Sequence, residues 1–391
     1  MSKSYFYSIL SQELSSIKER DLFRFMRTIR SAQGPVVNID GRDIILLCSN
    51  NYLGLANHPE LMNDAIKAIN RYGVGSGASR LISGNMGPHE QLEQDIADFK
   101  QTESALVFNS GYHANIGIIS AIAYTDTAVL SDELNHASII DGIRLSKANI
   151  FIYRHRDTSM AEDILKSLEQ KKKLIVTDSV FSMDGDIAPL KELAELAERY
   201  DALLMVDEAH ATGILGKHGR GAVELFELSG RVHIQMGTLG KALGVFGAYA
   251  AGDRLLIDYL INKSRSFIFT TSLPPALCSA SRKAIELIRN HPELREALKE
   301  NIKIMRDGLR NMGFEIPDAP TPIIPVIIGD SKKTMEFSSL LFDRGVFVSG
   351  IRPPTVPPGT SRLRITVSAS HTKEMLYKSL DIINTVNHML R

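Results

Sequence analysis

The sequence predicts an α/β fold in which a mostly parallel central sheet carries helices on both faces and is followed by a smaller C-terminal α+β domain. From about Ser104 onward, short apolar β-rich runs alternate with segments of helical periodicity, a pattern typical of parallel strands joined by helices. The alternation ends near His291, beyond which a shorter set of helices and strands follows. With 391 residues, 44% of them hydrophobic, the chain is long enough for two domains with separate cores.

The strands expected in the central sheet are, in chain order, residues 105–108, 128–130, 150–153, 174–177, 203–206, 232–236 and 248–251. Helical spacing occupies residues 136–147, 159–170 and 189–200, and Pro189 is suited to a first helical turn. A long helix over residues 274–290 leads out of the sheet. The C-terminal part is predicted to hold helices over residues 293–312, near 333–344 and at its end, with strands over residues 323–328 and 362–367.

These elements divide the chain into an N-terminal arm (residues 1–55), a large domain (56–290) and a small C-terminal domain (291–391). The start of the arm mixes charged and apolar side chains without the continuous apolar core of a signal peptide, so we expect it to be amphipathic. No apolar run approaches the roughly 20 residues of a membrane-spanning helix.

Composition and charge indicate the class of partner. The formal net charge is zero, so no long-range field favours nucleic acid or an anionic membrane, and a small-molecule substrate is expected instead. Cys48 and Cys278 lie far apart in sequence and support neither a disulfide framework nor a metal site. We therefore expect a cytoplasmic protein.

Chemically reactive side chains follow several predicted strands. Asp207 comes directly after residues 203–206, and Lys241 follows residues 232–236. Gly111 and Tyr112 open a helix after residues 105–108. In doubly wound sheets, ligands bind outside the carboxyl ends of the strands, so these residues are expected to share one edge.

Lys241 stands between Gly240 and Gly244, whose lack of side chains lets a flat, phosphorylated cofactor approach the backbone. A lysine amine can lose its proton and form a Schiff base, which makes Lys241 a candidate anchor for pyridoxal phosphate. Asp207 is placed to pair with the pyridine nitrogen and keep it protonated.

The cofactor phosphate is expected at a helix start. Backbone N–H groups at Gly111 and Tyr112 would hold it, because free donors and the helix dipole favour an anion there, and Thr238 would add a hydroxyl.

Taken singly, these residues also have structural interpretations. His136 and His210 fit helix caps or buried histidines with satisfied hydrogen bonds, and Ser182 fits a turn before Asp-Gly. Residues 207–210 have the sequence Asp-Glu-Ala-His, which is also a motif of RNA helicases. The sequence lacks, however, the glycine-rich loop that binds nucleotide phosphates. Residues 73–80 match a dinucleotide-binding loop only loosely.

Short motifs occur in order along nearly the whole chain, at residues 49–55, 75–77, 89–93, 110–112, 135–138, 181–186, 207–210, 238–241 and 270–272. Together they resemble the α-oxoamine synthases, a family of fold-type I pyridoxal-phosphate-dependent transferases. The resemblance implies a homodimer with shared active sites that condenses a small amino acid with an acyl-CoA.

Within that family, residues 351–360 and 362–364 are most similar to members that join L-alanine to pimeloyl-CoA, or to a pimeloyl carrier-protein thioester, in biotin biosynthesis. The resemblance implies that CoA and carbon dioxide leave. Residues 81–86 are also of a kind found in sphingolipid-forming palmitoyltransferases. Sister activities that use glycine or serine, of the glycine C-acetyltransferase, 5-aminolevulinate synthase or serine palmitoyltransferase type, therefore stay open, as does a non-catalytic partner subunit.

The resemblance also implies a role for each matching residue. Lys241 would be covalent anchor and general base, Asp207 the partner of the pyridine nitrogen, and His136 would stack on the ring. The other implied contacts are His210 and Ser182 at the ring hydroxyl; Gly111, Tyr112, Thr238 and Thr271 of the neighbouring subunit at the phosphate; Arg364 at the amino-acid carboxylate; Arg24 and Thr355 at the acyl substrate; and Asn50 near the cofactor. Tyr112 stands where phenylalanine is common in the family.

Overall fold

The computed structural model describes residues 4–20 and 22–390, so residues 1–3 and Asp21 of the predicted arm lie outside the described residues. The first part of the chain contains α1 (Tyr5–Glu19), β1 (Val36–Ile39), β2 (Arg42–Leu46), α2 (Pro59–Tyr72), α3 (Gly87–Lys100), β3 (Ser104–Phe108), α4 (Gly111–Ile122), β4 (Thr127–Asp132), α5 (Ala137–Ser146), β5 (Asn149–Tyr153) and α6 (Thr158–Ser167). A 3-10 turn at Leu55–Asn57 and a π-helical turn at Arg80–Gly84 flank α2.

The middle of the chain contains β6 (Lys172–Asp178), α7 (Leu190–Arg199), β7 (Leu203–Asp207), α8 (Ala222–Leu225), β8 (Ile234–Thr238), β9 (Ala248–Gly252), α9 (Arg254–Lys263), α10 (Arg265–Ile268) and α11 (Pro275–Asn290). The C-terminal part contains α12 (Glu293–Asn311), β10 (Ile323–Gly329), α13 (Ser331–Asp343), β11 (Val346–Phe347), β12 (Ser349–Ile351), β13 (Ser361–Thr366) and α14 (Lys373–Leu390).

Within the described residues, the central sheet has seven strands in the order β3-β9-β8-β7-β6-β4-β5. The pairs from β8 through β7, β6 and β4 to β5 are parallel, whereas β9 runs antiparallel to both β8 and β3. The predicted α/β fold with a mostly parallel sheet is confirmed, and each strand expected in this sheet is present.

Alternate residues of the central strands enter two separate apolar cores. On β6, Ile175 belongs to the larger core, while Leu174 and Val176 belong to the smaller one. On β4, Leu130 belongs to the larger core and Val129 to the smaller one. Successive side chains of a strand point to opposite faces, so a sheet covered by helices on both faces requires apolar residues at every position. This requirement explains the short uninterrupted apolar runs of the sequence.

The C-terminal part forms a second, antiparallel sheet in the order β10-β13-β12, which packs against α13; α14 packs against both α13 and α12. A third sheet joins β1 and β2 to β11, and β2 runs parallel to β11. The end of β2, within the segment predicted as an arm, is therefore paired with the C-terminal part. The division at residues 55 and 290 stays a prediction.

Three features of the helices bear on the sequence predictions. Pro189 is the residue before α7 and not part of its first turn; its carbonyl accepts a hydrogen bond from the Leu193 N–H at 3.1 Å. Helix α1 buries none of its residues, in keeping with its polar and apolar mixture. Among the described helices, none combines the length and the apolar character needed to cross a bilayer.

Candidate active site

A cavity of about 350 Å³ opens at the carboxyl ends of β6, β7 and β8. Most of the residues singled out from the sequence line it, because the carboxyl ends of parallel strands lie at one edge of the sheet. The predicted residues that line it are Asn50, Gly111, Tyr112, His136, Asp207, His210, Thr238 and Lys241. Ser182, Arg364, Thr271, Arg24 and Thr355 lie outside this lining.

Lys241 is half-buried in this cavity. Burial lowers the pKa of its amine from 10.5 to about 8, with the nearby Arg364 acting in the same direction and the carboxylates of Asp207 and Asp178 opposing it. Removing an ammonium from water disfavours its charge, so the neutral amine is accessible near neutral pH. Lys241 thus has the protonation behaviour that a nucleophile or a general base needs.

Asp207 ends β7, and its carboxylate is held by two donors. Its Oδ2 accepts a hydrogen bond from Asn115 Nδ2 at 2.8 Å, and its Oδ1 accepts one from the Ala209 N–H at 2.8 Å. The side chain is buried, with 3% of its surface exposed. Both oxygens are oriented, and each keeps a lone pair that can accept a further proton donor from the cavity.

His136 caps the start of α5 and also lines the cavity. Its Nδ1 lies 2.7 Å from Ser138 Oγ, and Ser138 Oγ accepts a hydrogen bond from Asn115 Nδ2 at 2.8 Å. Asn115 therefore connects the hydrogen bonds of His136 to the carboxylate of Asp207. The capping interpretation is confirmed for His136, whose side chain accepts a hydrogen bond from the Ser138 N–H, and its contact with the cofactor ring stays a prediction.

Asp178 is a site residue that the sequence reasoning missed, together with Asn115 and Ser138. Its Oδ2 accepts the His136 N–H at 2.7 Å. Burial and, after it, the charge of Asp207 raise the pKa of Asp178 well above its ordinary value. The signal was present, because Asp178 follows the predicted strand 174–177 just as Asp207 follows 203–206.

The start of α4 faces the end of β8 at the predicted phosphate position. A Cβ atom on Gly111 would lie 2.7 Å from Thr238 Cγ2, so the close approach of these two elements requires glycine. Thr238 Oγ1 is buried without a hydrogen-bond partner among the described residues. Such an orphan hydroxyl beside free helix N–H groups suits an anion, and these residues therefore fit the phosphate of pyridoxal phosphate.

His210 lines the cavity beside Tyr52. Its Nδ1 is 2.7 Å from Tyr52 Oη, which is also 3.0 Å from Asn50 Oδ1. Burial, reinforced by the positive charges of Lys241 and Arg364, lowers the pKa of His210 well below its ordinary value. His210 therefore meets a ligand as a neutral imidazole that can exchange hydrogen bonds.

Arg364 lies on β13, close to the cavity without lining it. Its Nε donates to the Ser182 carbonyl at 2.6 Å, and its Nη2 donates to Asn50 Oδ1 at 3.2 Å. Ser182 thus contacts Arg364 through its backbone. The remaining guanidinium N–H groups are directed by these two contacts and can bind a carboxylate in the fork geometry of arginine.

The ligand contacts predicted for all of these residues stay predictions, as do those of three residues outside the cavity. Thr271, Arg24 and Thr355 are exposed on this chain. The glycines beside Lys241 differ from each other: Gly240 lines the cavity, whereas a Cβ on Gly244 would lie 2.4 Å from the Ala56 backbone nitrogen. Packing against residues 55–56 therefore explains Gly244, and only Gly240 leaves room beside the cofactor position.

The chain is similar to known proteins over nearly its whole length. A family model described as aminotransferase class I and II matches residues 42–383. The chain is 52% identical over 383 residues to the 8-amino-7-oxononanoate synthase of Citrifermentans bemidjiense, which covers 97% of this chain and 98% of that protein. The chain belongs to the 8-amino-7-oxononanoate synthases of the aminotransferase class I and II family. Another such relative, 8-amino-7-oxononanoate synthase 1 of Bacillus subtilis, is 49% identical and covers 96% of each chain.

Two solved structures have folds similar to that of this chain. A serine palmitoyltransferase from S. paucimobilis with a bound PLP–myriocin aldimine superposes with a TM-score of 0.94 at 31% identity, covering 99% of each chain. The crystal structure of an 8-amino-7-oxononanoate synthase from Francisella tularensis gives a TM-score of 0.76 at 30% identity, covering 88% of this chain and 98% of that one. The family and fold predicted from the sequence are confirmed.

Proposed function

We propose that this protein condenses L-alanine with pimeloyl-CoA, or with a pimeloyl carrier-protein thioester, to form 8-amino-7-oxononanoate, CoA and carbon dioxide in biotin biosynthesis. The observation that carries the proposal is the cavity in which Lys241, of lowered pKa, faces Asp207. Relatives about 50% identical over nearly the full length bear the name of this synthase. The cofactor is pyridoxal phosphate.

When bound, pyridoxal phosphate supplies an electron sink for the negative charge that develops at the amino-acid α-carbon. Lys241 would hold the cofactor through its Nζ, and the same amine would accept the proton of that carbon. Asp207 would pair with the pyridine N–H and keep it protonated. His136 would cover the ring, while Gly111 and Thr238 would hold the phosphate.

Arg364 orients the amino acid by binding its carboxylate. Two parallel N–H donors fix the carboxylate in a plane and thereby decide which bond of the α-carbon lies beside the cofactor. Tyr52 Oη, which also contacts His210 Nδ1, donates to the same Asn50 Oδ1 that accepts a hydrogen bond from Arg364. The orientation of the bound amino acid therefore determines which bond of its α-carbon is broken.

Replacing Arg364 with alanine should raise the KM for L-alanine roughly 30-fold, because a charge-assisted hydrogen-bonded contact to the substrate is lost. Steady-state kinetics at saturating acyl thioester measure the effect. Arg344→Ala, at an exposed arginine after α13, is the matched control and should leave KM unchanged. An unaltered dependence on L-alanine in the Arg364 variant would show that another group binds the carboxylate.

Capture of pyridoxal phosphate by the apoprotein should accelerate as the pH rises towards about 8, the pKa of Lys241. The attacking amine must be neutral, so below that pH the rate should rise roughly tenfold per pH unit. Stopped-flow absorbance of the cofactor band measures it. A rate that keeps climbing towards pH 10.5, the ordinary lysine value, would contradict the lowered pKa.

The function is tested by titrating the holoenzyme with L-alanine, glycine and L-serine, followed by CoA release from acyl-CoAs of graded length. Preference for L-alanine with pimeloyl-CoA is the expected result. Preference for glycine or serine with acetyl, succinyl or palmitoyl chains would move the protein to a sister activity. A protein that neither binds the cofactor nor turns over would be a non-catalytic subunit, which the presence of Lys241 and Asp207 argues against.

We further propose a homodimer with shared active sites, in which Thr271 of the neighbouring subunit completes the phosphate site. Large apolar side chains are exposed near the cavity and near Thr271, including Phe246 and Phe269. Burying such a surface between two copies would remove apolar area from water. Sedimentation equilibrium tests the dimer, and a monomeric, fully active holoenzyme would contradict it.

A cytoplasmic location is proposed as well. Its support is the substrate, since acyl thioesters of CoA and carrier proteins are made and consumed inside cells. Fractionation of the producing cells tests it, and recovery of the enzyme outside the cytoplasm would contradict the proposal.

A further inference from the structure

His155 lies on the turn after β5, and its ring bridges two carboxylates, one from Asp132 at the end of β4 and one from Asp186 in the loop after β6. Its Nδ1 is 3.0 Å from Asp132 Oδ1, and its Nε2 is 2.8 Å from Asp186 Oδ2. Phe181 packs edge-on against the ring with 4.4 Å between centroids. An imidazole that meets a carboxylate at each nitrogen needs two N–H donors and is therefore cationic.

The surroundings of His155 favour the charged ring. Burial lowers its pKa, but the hydrogen bonds and charges of Asp132 and Asp186 outweigh that effect and raise it to about 9. Arg156 Nη1 adds a second cation 3.3 Å from Asp186 Oδ2, and Glu133 accepts the His155 backbone N–H at 2.8 Å. The bridge is therefore intact at neutral pH.

Asp186 ends the loop of residues 181–186, which the C-terminal part holds from the other side. Arg362 forms an ion pair with Asp184, and Thr321 Oγ1 donates to the Gly185 carbonyl at 2.6 Å. Within the loop, the Gly185 N–H donates to the Phe181 carbonyl at 2.8 Å. The loop is a rigid connection between the strand ends of the central sheet and β13.

This loop also carries the carbonyl that orients Arg364. Arg364 Nε donates to the Ser182 carbonyl at 2.6 Å, so the direction of the guanidinium depends on where the loop places Ser182. The loop is anchored to the large sheet through Asp186 and His155. A shift of the loop would rotate or withdraw the guanidinium without removing any group that touches the substrate.

We propose that His155 is a positioning residue for Arg364: it anchors loop 181–186 so that Arg364 presents its free N–H groups to the carboxylate of the amino-acid substrate. The proposal rests on the proposed function, in which Arg364 binds that carboxylate. His155 thereby affects the affinity for the amino acid, acting through Asp186 and the Ser182 carbonyl. Lys241, not His155, removes the proton from the α-carbon.

The test is binding of two amines to the holoenzyme, followed by the visible spectrum of the cofactor. His155→Gln keeps one hydrogen bond and loses the charge, so the Kd for L-alanine should rise roughly tenfold. The Kd for L-alaninamide, which has no carboxylate, should be unchanged, and kcat with L-alanine should stay within roughly twofold. His291→Gln, at an exposed histidine paired with Glu293, is the matched control.

A double-mutant cycle makes the proposal falsifiable. In the Arg364→Ala background, His155→Gln should have no further effect on L-alanine binding, because both changes act through one contact. Equal weakening of L-alanine and L-alaninamide, or additive effects in the cycle, would overturn the proposal. Asp186→Asn provides a second variant if the first does not fold. Failure of the proposed function is distinguishable, because it would appear in the unmodified enzyme as absent turnover of L-alanine with the pimeloyl thioester.

Discussion

Replacing Lys241 with alanine should lower turnover by roughly 10⁴-fold or more, because the variant loses both the covalent anchor and the base that moves the α-proton. The nearby Asp207 and Asp178 cannot replace it, since a carboxylate forms no Schiff base. CoA release at saturating L-alanine and acyl thioester measures the loss. The purified variant should also release its cofactor on dialysis and lose the protein-linked visible band.

Lys303→Ala is the matched control for that experiment, because Lys303 is an exposed lysine on α12 paired with Asp307. It should retain full turnover and the visible band. Normal turnover of the Lys241 variant would contradict the assignment of Lys241 and with it the proposed mechanism.

Asp207→Asn should lower kcat by roughly 10³-fold while the protein stays folded. The carboxamide removes the charge that keeps the pyridine nitrogen protonated, so the cofactor would accept electrons less well. In the unmodified protein, Asn115 and the Ala209 N–H each donate to one carboxylate oxygen of Asp207. The asparagine would place its own N–H₂ donors beside these donors. CoA release and the cofactor spectrum together measure the effect.

The control is Asp126→Asn, an exposed aspartate paired with Lys172 before β4. Its kinetics and spectrum should match the unmodified enzyme. If Asp207→Asn retains more than roughly a tenth of kcat, another acidic group holds the pyridine nitrogen, and Asp178 is the residue to replace next.

Much of the candidate site could be predicted because each parallel strand places the residue that follows it at the same edge of the sheet. Asp207, Thr238 and Gly111 were found in this way, and all three line the cavity. Asp178 obeys the same rule and was overlooked only because its neighbours suggested no chemistry. Arg364 came from the family resemblance alone, because nothing in its local sequence indicates a ligand contact.

Residues whose partners are distant in sequence could not be placed from the sequence. The segment predicted as an N-terminal arm contains β1 and β2, and β2 pairs with β11, some 300 residues later in the chain. Strands this short show little alternation of apolar and polar residues, so their pairing depends on the tertiary contacts around them. Gly244 was attributed to the cofactor, whereas the backbone of residues 55–56 is what requires a glycine there.

The sequence by itself determined the alternation of strands and helices, the parallel sheet and the reactive residues at its edge, because apolar periodicity and strand ends are local properties of the chain. The tertiary structure alone decided which groups act together. Asn115 and Asp207 are 92 residues apart, and Arg364 and Ser182 are 182 apart, yet each pair is hydrogen-bonded. Such contacts depend on the packing of whole elements, as does the burial that lowers the pKa of Lys241.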